Sequence, residues 1–474
     1  MEIFLTALFI ILGCTAFYLF HQRRDPQNPP CISGWIPWIG AGFKFGEAPL
    51  EFIEQARIKH GPVFTIFALG NRITFVTEEE GIDFFFKSKD INFEHAVQHH
   101  VKRTVSVTKD IFFTFHGILY GLMKNKMRIS HLYQFTEKMV EELHEQLETL
   151  GTDGKNDLFN LVRNNLYPVT VNIVFGKGLY PITHKKILEF HEHFQNFDEG
   201  FQFGSQIPEC FLRNWSKSKK WFLTLFEKSI PDLERYRPSD DDSLTILQLI
   251  TGALRQGTSE HQAPNYALLM LWASLSNAIP VAFWTIMFIL HNPSVYKNIM
   301  EGIVSVFGEA VEKEFAAASR VLLPNTPRDS MSHPTPSVTV QLLPPALGVM
   351  AIQQLPYLLL NYTIPAGDML MLSPFWIHRN PKYFPEPELF KPERWEKADL
   401  EKNAFLDCFL AFGGGKYPCP GRWFALLELE IYVALLFYKY QLSLLDPFPK
   451  QNFNQLVGVQ KPVTPCRVEY KCRK

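Results

Sequence analysis

The chain has almost no net charge, −1 over 474 residues. Nothing in that balance suits a nucleic acid or a strongly acidic partner. Cysteine is sparse: seven are scattered along the sequence, with no Cys-x-x-Cys pair. A disulfide framework is therefore not expected, and the count suits a reducing compartment. The sequons at Asn214 and Asn361 would then go unmodified. The sequence also lacks repeats, a heptad array and any flavin or nicotinamide fingerprint. Redox chemistry on this chain would need a separate partner to deliver electrons.

Apolar residues are abundant, at 46%, and phenylalanine alone counts 42. This suits a large core with an apolar pocket, in one large unit rather than several small ones. Residues 3–20 are free of charge and precede His21, Arg23 and Arg24. Eighteen helical residues rise about 27 Å, close to the hydrocarbon thickness of a bilayer. The start at Met1-Glu2 and the bulky end at Phe17 to Phe20 lack the basic and small-residue ends of a cleavable signal. The segment reads as an uncleaved anchor with the following chain cytosolic. Pro26, Pro29, Pro30 and Pro37, with Trp35 and Trp38, then form a stiff hinge over 21–40.

Along the body, Leu50, Ile53 and Ala56 form a short helical stripe ending at Gly61-Pro62. Two β-rich runs, 63–67 and 73–77, predict a hairpin around Leu69-Gly70. Ser130 is placed to cap a helix whose face is Leu132, Phe135, Met139, Leu143, Leu147 and Leu150. Further helices are expected over 158–175 and 215–234, with Lys217, Lys219 and Lys220 on a solvated face. Helices dominate, with short strands near both ends, so the chain is not an alternating α/β protein. Residues 264–290 are long and apolar enough to span a membrane. Ser274, Ser276, Asn277 and Pro280 cluster in the middle, where lipid would leave polar groups unpaired. The segment reads as a central core helix, bent near Pro280 and opening toward a ligand. Either serine could equally be a polar group satisfied within the core. A Pro-rich, aromatic meander covers 373–395; a buried Arg394 there needs carboxylate or carbonyl partners. His378 reads as a hydrogen-bonded structural histidine ahead of a metal ligand.

The most informative stretch, 412–421, reads Phe-Gly-Gly-Gly-Lys-Tyr-Pro-Cys-Pro-Gly. A phosphate loop is excluded, because Leu410 stands where it needs glycine and Tyr417 where it needs Ser or Thr. Glycines let the backbone approach something bulky, and prolines stiffen the chain around Cys419. The helix predicted from Arg422 places Cys419 just ahead of a helix N-terminus, which favours a thiolate.

Phe412, Gly415, Cys419 and Gly421 meet the pattern Phe-x-x-Gly-x-x-x-Cys-x-Gly, and the chain resembles the cytochrome P-450 family. The likeness extends over 30–40, 271–280, 373–395 and 419–425, and leans toward the branch of sterol 7α-hydroxylases and prostacyclin synthase. It implies a mainly α fold with small β-sheets, a single heme-thiolate domain over 41–474 behind the anchor (1–20) and hinge. It implies heme b, with Cys419 as axial thiolate of the iron. Phe412 would pack beside the sulfur, Gly415 and Gly421 would shape the loop, and Arg394 would lock the meander. An axial thiolate pushes electron density onto iron and favours O–O cleavage, unlike histidine. Ser276 and Asn277 stand where most relatives carry an acid and a threonine, and Asn277 would lie beside the distal oxygen. Tyr417 replaces a common propionate partner. The implied activity is NADPH- and O2-dependent 7α-hydroxylation of an oxysterol, 24-hydroxycholesterol, in cholesterol catabolism and bile acid synthesis. Its partners would be NADPH-cytochrome P-450 reductase and the endoplasmic reticulum membrane, with no nucleic acid. Two alternatives stand beside it: a heme-thiolate isomerase of the prostacyclin-synthase type, and an inactive heme-free product.

The last alternative comes from one missing element. The family's Glu-x-x-Arg helix, whose charges pair with the arginine matching Arg394, does not occur between Glu301 and Arg394. Residues 321–356 contain seven prolines and a single acid, Asp329. Such proline density prevents a useful helix. The likeness lapses over about 309–359, and an altered transcript or faulty gene model would account for that. Glu54-Gln-Ala-Arg57 fits the letters but reads as a chance surface pair.

Overall fold

The structure, a computed structural model, describes residues 6, 8–15, 25–36, 38–238, 243–307, 349–354, 357–395, 408–455 and 457–473. The anchor expected over 1–20 and the stretch 309–359 fall largely outside them. The chain divides into two compact units, Met1–His99 with Pro345–Pro385, and His100–Pro344 with Glu386–Lys474.

The first unit is built on a six-stranded sheet. Its order is Cys31–Ile32, Val63–Ala68, Asn71–Val76, Met369–Leu372, Val349–Gln353 and Ile91–Asn92. The anticipated hairpin is present, with Ala68 opposite Asn71. Leu69 and Gly70 turn with φ of +51° and +78°, the two positive values that a two-residue hairpin matching strand twist requires. Helix α1 (Pro49–His60) lays Ile53 and Ala56 on the core with Phe64, Ile66 and Phe75, as its stripe predicts. Glu54 and Arg57 correct one expectation. They form a half-buried bidentate pair, with nitrogen–oxygen distances of 3.0 and 3.1 Å, and Glu54 also accepts from the Trp376 indole. The pair therefore ties α1 to the start of the meander and is no chance surface contact.

The second unit is helical. It comprises α2 (Lys109–Lys126), α3 (Tyr133–Glu148), α4 (Leu158–Phe175), α5 (His184–Gly204), α6 (Arg213–Arg235), α7 (Ile246–Gln256), α8 (Ala263–Leu275), α9 (Ala278–His291), α10 (Pro293–Phe307) and α11 (Arg422–Lys439). A three-stranded antiparallel sheet places Arg467–Cys472 between Tyr440–Leu444 and Asp153–Asp157. Helix α3 buries Phe135, Met139, Leu143 and Leu147 as the periodicity requires. Ser130 does not cap it: residues 129–131 form a separate 3-10 turn, and the helix starts at Tyr133 without a side-chain cap. On α6, Lys217 and Lys220 are exposed, but Lys219 is buried. Its ammonium donates to Glu209 at 2.5 Å and to the Arg103 carbonyl at 3.0 Å, so a desolvated cation is held by a carboxylate and a carbonyl.

The apolar stretch Glu260–His291 is long enough to cross a membrane, yet most of it is buried inside the protein. It is the core helix, interrupted at Ser276 and Asn277 between α8 and α9. Pro280 explains the position of the break. A proline ring clashes with the carbonyl four residues earlier, here Ser276, and it has no N–H to offer. Ending α8 at Leu275 puts Pro280 in the first turn of α9, where a missing N–H leaves no gap.

Candidate active site

The cysteine loop is closed on itself. The Cys419 N–H donates to the Phe412 carbonyl at 2.8 Å. Gly413 and Gly415 hold φ of +68° and +66°, which side-chain-bearing residues rarely adopt. Gly421 has ordinary backbone angles and ends the loop at the N-terminus of α11. A Cβ there would meet only the Met127 sulfur, at 3.5 Å, so the protein's own packing does not demand glycine.

Helix α2 braces the loop from the side. Phe112, His116 and Tyr120 recur every four residues and share one helix face. Phe112 stacks on His116 at 4.7 Å, and the rings of His116 and Tyr120 each lie 5.0 Å from Tyr417. The Tyr120 hydroxyl donates to the Pro418 carbonyl at 2.9 Å. The sequence reading missed this brace. The four-residue spacing was visible, but nothing local links it to Tyr417 about three hundred positions later.

Cys419 is exposed by accessible area, yet burial pushes its thiol above the ordinary range. A hydrogen bond from the Gly421 backbone and the Arg422 charge oppose that rise. The helix end therefore does not by itself hold a thiolate, as the sequence suggested; burial outweighs it until a cation replaces the proton. Arg422, the first residue of α11, keeps its Nε buried without a hydrogen-bond partner among the described residues, and its side chain lies over Trp423. One accessible thiol, a glycine not required by packing and a half-buried cation beside them suit a flat, metal-bearing group with sulfur as its ligand.

Asn277 is half-buried at the helix break and Ser276 is buried. The Asn277 amide nitrogen donates to Ser276 Oγ at 3.3 Å. Its amide oxygen accepts the Val459 N–H at 3.0 Å, a contact the sequence gave no hint of. Arg394, half-buried, finds the carbonyl partners the meander offers: Lys391 at 3.3 Å, Glu386 at 3.2 Å and Leu389 at 3.1 Å. These are the carbonyl partners the sequence allowed; the charge partners of a Glu-x-x-Arg motif would lie in 309–348, outside the described residues. His378 packs against Phe384, and among the described residues no group of His, Cys, Asp or Glu is arranged to hold a metal ion.

A mainly helical protein with small sheets and a cysteine held in a closed, glycine-bearing loop has the arrangement expected of a heme-thiolate oxidoreductase. The family profile described as Cytochrome P450 matches residues 29–325 and 344–467, and the chain belongs to that family. It is a P450 monooxygenase, and a heme-thiolate iron is the cofactor of its family. The match breaks at 326–343, inside the stretch whose sequence lacks a Glu-x-x-Arg motif. Over 473 aligned residues, spanning all of both chains, it is 57% identical to the 24-hydroxycholesterol 7-alpha-hydroxylase of Homo sapiens. It is 50% identical to the Mus musculus enzyme of the same name, over 100% of this chain and 99% of that one. It is 25% identical to the human 7-alpha-hydroxycholest-4-en-3-one 12-alpha-hydroxylase, covering 93% and 91% of the two chains.

Proposed function

We propose that this chain hydroxylates an oxysterol, 24-hydroxycholesterol, at the 7α carbon, as a step in cholesterol catabolism toward bile acids. The observation that carries the reading is the 57% identity, over the whole of both chains, to a human enzyme of that name. One oxygen atom of O2 enters the C–H bond and the other leaves as water. NADPH supplies two electrons through a separate cytochrome P-450 reductase, and two protons balance the reaction.

Heme b, when bound, supplies the oxygen-activating redox chemistry. The chain's residues bind, orient and protect. Cys419 is the ligand, and the Gly421 N–H and Arg422 charge favour its sulfur as an anion against burial. Gly415 and Gly421 shape the loop around the sulfur, and Phe412 closes it through its carbonyl. Arg394 stiffens the meander through three carbonyls. Asn277, with its oxygen taken by Val459, has an amide N–H left to donate to a water or substrate oxygen at the helix break.

The organisation proposed is an anchor over 1–20, a hinge over 21–40 and a catalytic domain over 41–474. Residues 8–12 are helical and expose Leu8, Phe9, Ile10, Ile11 and Leu12, a face that lipid would cover. A single-pass protein of the endoplasmic reticulum membrane with a cytosolic catalytic domain fits this.

The test is the reduced carbon monoxide difference spectrum of purified protein, followed by turnover of 24-hydroxycholesterol with reductase and NADPH. A Soret band at the thiolate position and a 7α-hydroxylated product are expected. A second reading, a heme-free chain, draws on the Glu-x-x-Arg motif missing from the sequence, and a Soret band at the thiolate position would sink it.

A further inference from the structure

We infer that Asn277 acts on the reaction through the C-terminal loop: its bond to Val459, with Gly458 beneath it, is a latch that positions residues 457–461 against the break in the core helix. The inference deepens the proposed role of Asn277 and rests on that reading for its link to the substrate.

Among the described residues, contacts from Asn277, Trp284 and Asp198 fasten the loop to the surrounding helices. Asn277 Oδ1 accepts the Val459 N–H at 3.0 Å, the Trp284 indole donates to the Gln460 carbonyl at 2.7 Å, and Lys461 pairs with Asp198 at 2.5 Å. Trp284 and Asp198 hold the loop to intact helices. Asn277 holds it to the two residues where the core helix is broken. The Asn277 contact also fixes the amide. A backbone N–H must face the oxygen, so the nitrogen is the end that Asn277 offers elsewhere.

Gly458 is the other half of the latch. It sits at φ +80°, and a Cβ there would meet Asn277 Oδ1 at 2.8 Å. Any side chain at 458 therefore strains the backbone and pushes the amide out of place. Removal of the acceptor and intrusion of a methyl group should have the same result by opposite means: an unpaired Val459 N–H and a loosened loop.

The full-length, heme-loaded protein tests this with Asn277→Ala, Asn277→Asp and Gly458→Ala. Hydrogen–deuterium exchange of the peptide covering 452–461 is followed without substrate, together with the substrate-induced Soret shift on titration with 24-hydroxycholesterol. Asn277→Ala and Gly458→Ala should each speed exchange about tenfold and weaken binding about tenfold, with the reduced carbon monoxide band unchanged. Asn277→Asp keeps the acceptor and should stay within about twofold of the parent in exchange. Unchanged exchange in Gly458→Ala, or loosening in Asn277→Asp equal to that in Asn277→Ala, overturns the latch. If the parent protein shows no Soret shift with the oxysterol, the substrate reading fails while the exchange arm still decides the latch.

Discussion

The Thr170 hydroxyl lies 2.5 Å from Glu428 Oε1 and 2.8 Å from the Leu166 carbonyl oxygen, in the buried contact between α4 and α11. A hydroxyl has one hydrogen, and a carbonyl can only accept. That hydrogen is shared between two acceptors, and Thr170 donates to Glu428 Oε1 as well as facing Leu166. Burial pushes this carboxyl up to about 7, against the Thr170 hydrogen bond, which favours the anion. The folded state therefore binds a proton that the unfolded chain releases above about 4.5. Stability from this group is full below that value and falls as pH rises toward 7. The loss amounts to about 3 kcal/mol at most. Glu428→Gln keeps an acceptor oxygen for Thr170 and removes the titration. Thermal melting of the two proteins should show the variant gaining on its parent between pH 5 and 8. Parallel profiles over that range would mean that the carboxyl is not held neutral.

Tyr120 fastens the cysteine loop through the Pro418 carbonyl. Tyr120→Phe keeps the ring contact with Tyr417 and deletes only the hydroxyl. A loss of about 1 kcal/mol is expected, with faster transfer of heme to an acceptor protein and no change in Soret position. A shifted band would show that Tyr120 perturbs the ligand itself.

Asp198 is 4% exposed and accepts from both Lys461 and the Trp272 indole. Asp198→Ala leaves an ammonium and an indole without their acceptor, which should lower stability by about 3–5 kcal/mol in a denaturant titration. Lys461→Met on that background should recover part of the loss, since it removes the stranded cation. Additive effects of the two changes would argue against a coupled pair.

Helices α5 and α6 approach closely where Trp215 lies over Gly200 and Gly204. A Cβ at Gly200 would sit 2.5 Å from Trp215 Cδ1. Gly200→Ala should therefore destabilise by about 1–3 kcal/mol, outweighing the roughly 1 kcal/mol that alanine gains in a helix. On α2, Gly117 is exposed and nothing lies within 4 Å of its Cβ position. Gly117→Ala should show the gain alone. Equal urea midpoints for the two variants would remove steric contact as the reason for Gly200.

Elements written in local spacing were legible beforehand. The cysteine loop, the hairpin at Leu69-Gly70, the 158–175 helix and the buried face of α3 all depend on neighbours within a few residues. Lys219 was misread because its burial is set by Glu209 and Arg103, which no helical period relates to it. Ser130 had the right residue type for a cap, but the chain enters α3 through a 3-10 turn instead. The break at Ser276 was anticipated from Pro280 within a turn. Its attachment to Val459, 182 positions away, could not be, since a backbone N–H leaves no mark in the sequence.

The three-stranded sheet of the second unit has a consequence for synthesis. Its middle strand, Arg467–Cys472, is the last of the three to leave the ribosome, more than three hundred residues after Asp153–Asp157 begins. Until it arrives, Asp153–Asp157 and Tyr440–Leu444 each lack the neighbour they pair with in the finished fold. A nascent chain halted shortly before residue 467 therefore carries two open strand edges, and chaperone occupancy should peak at that length.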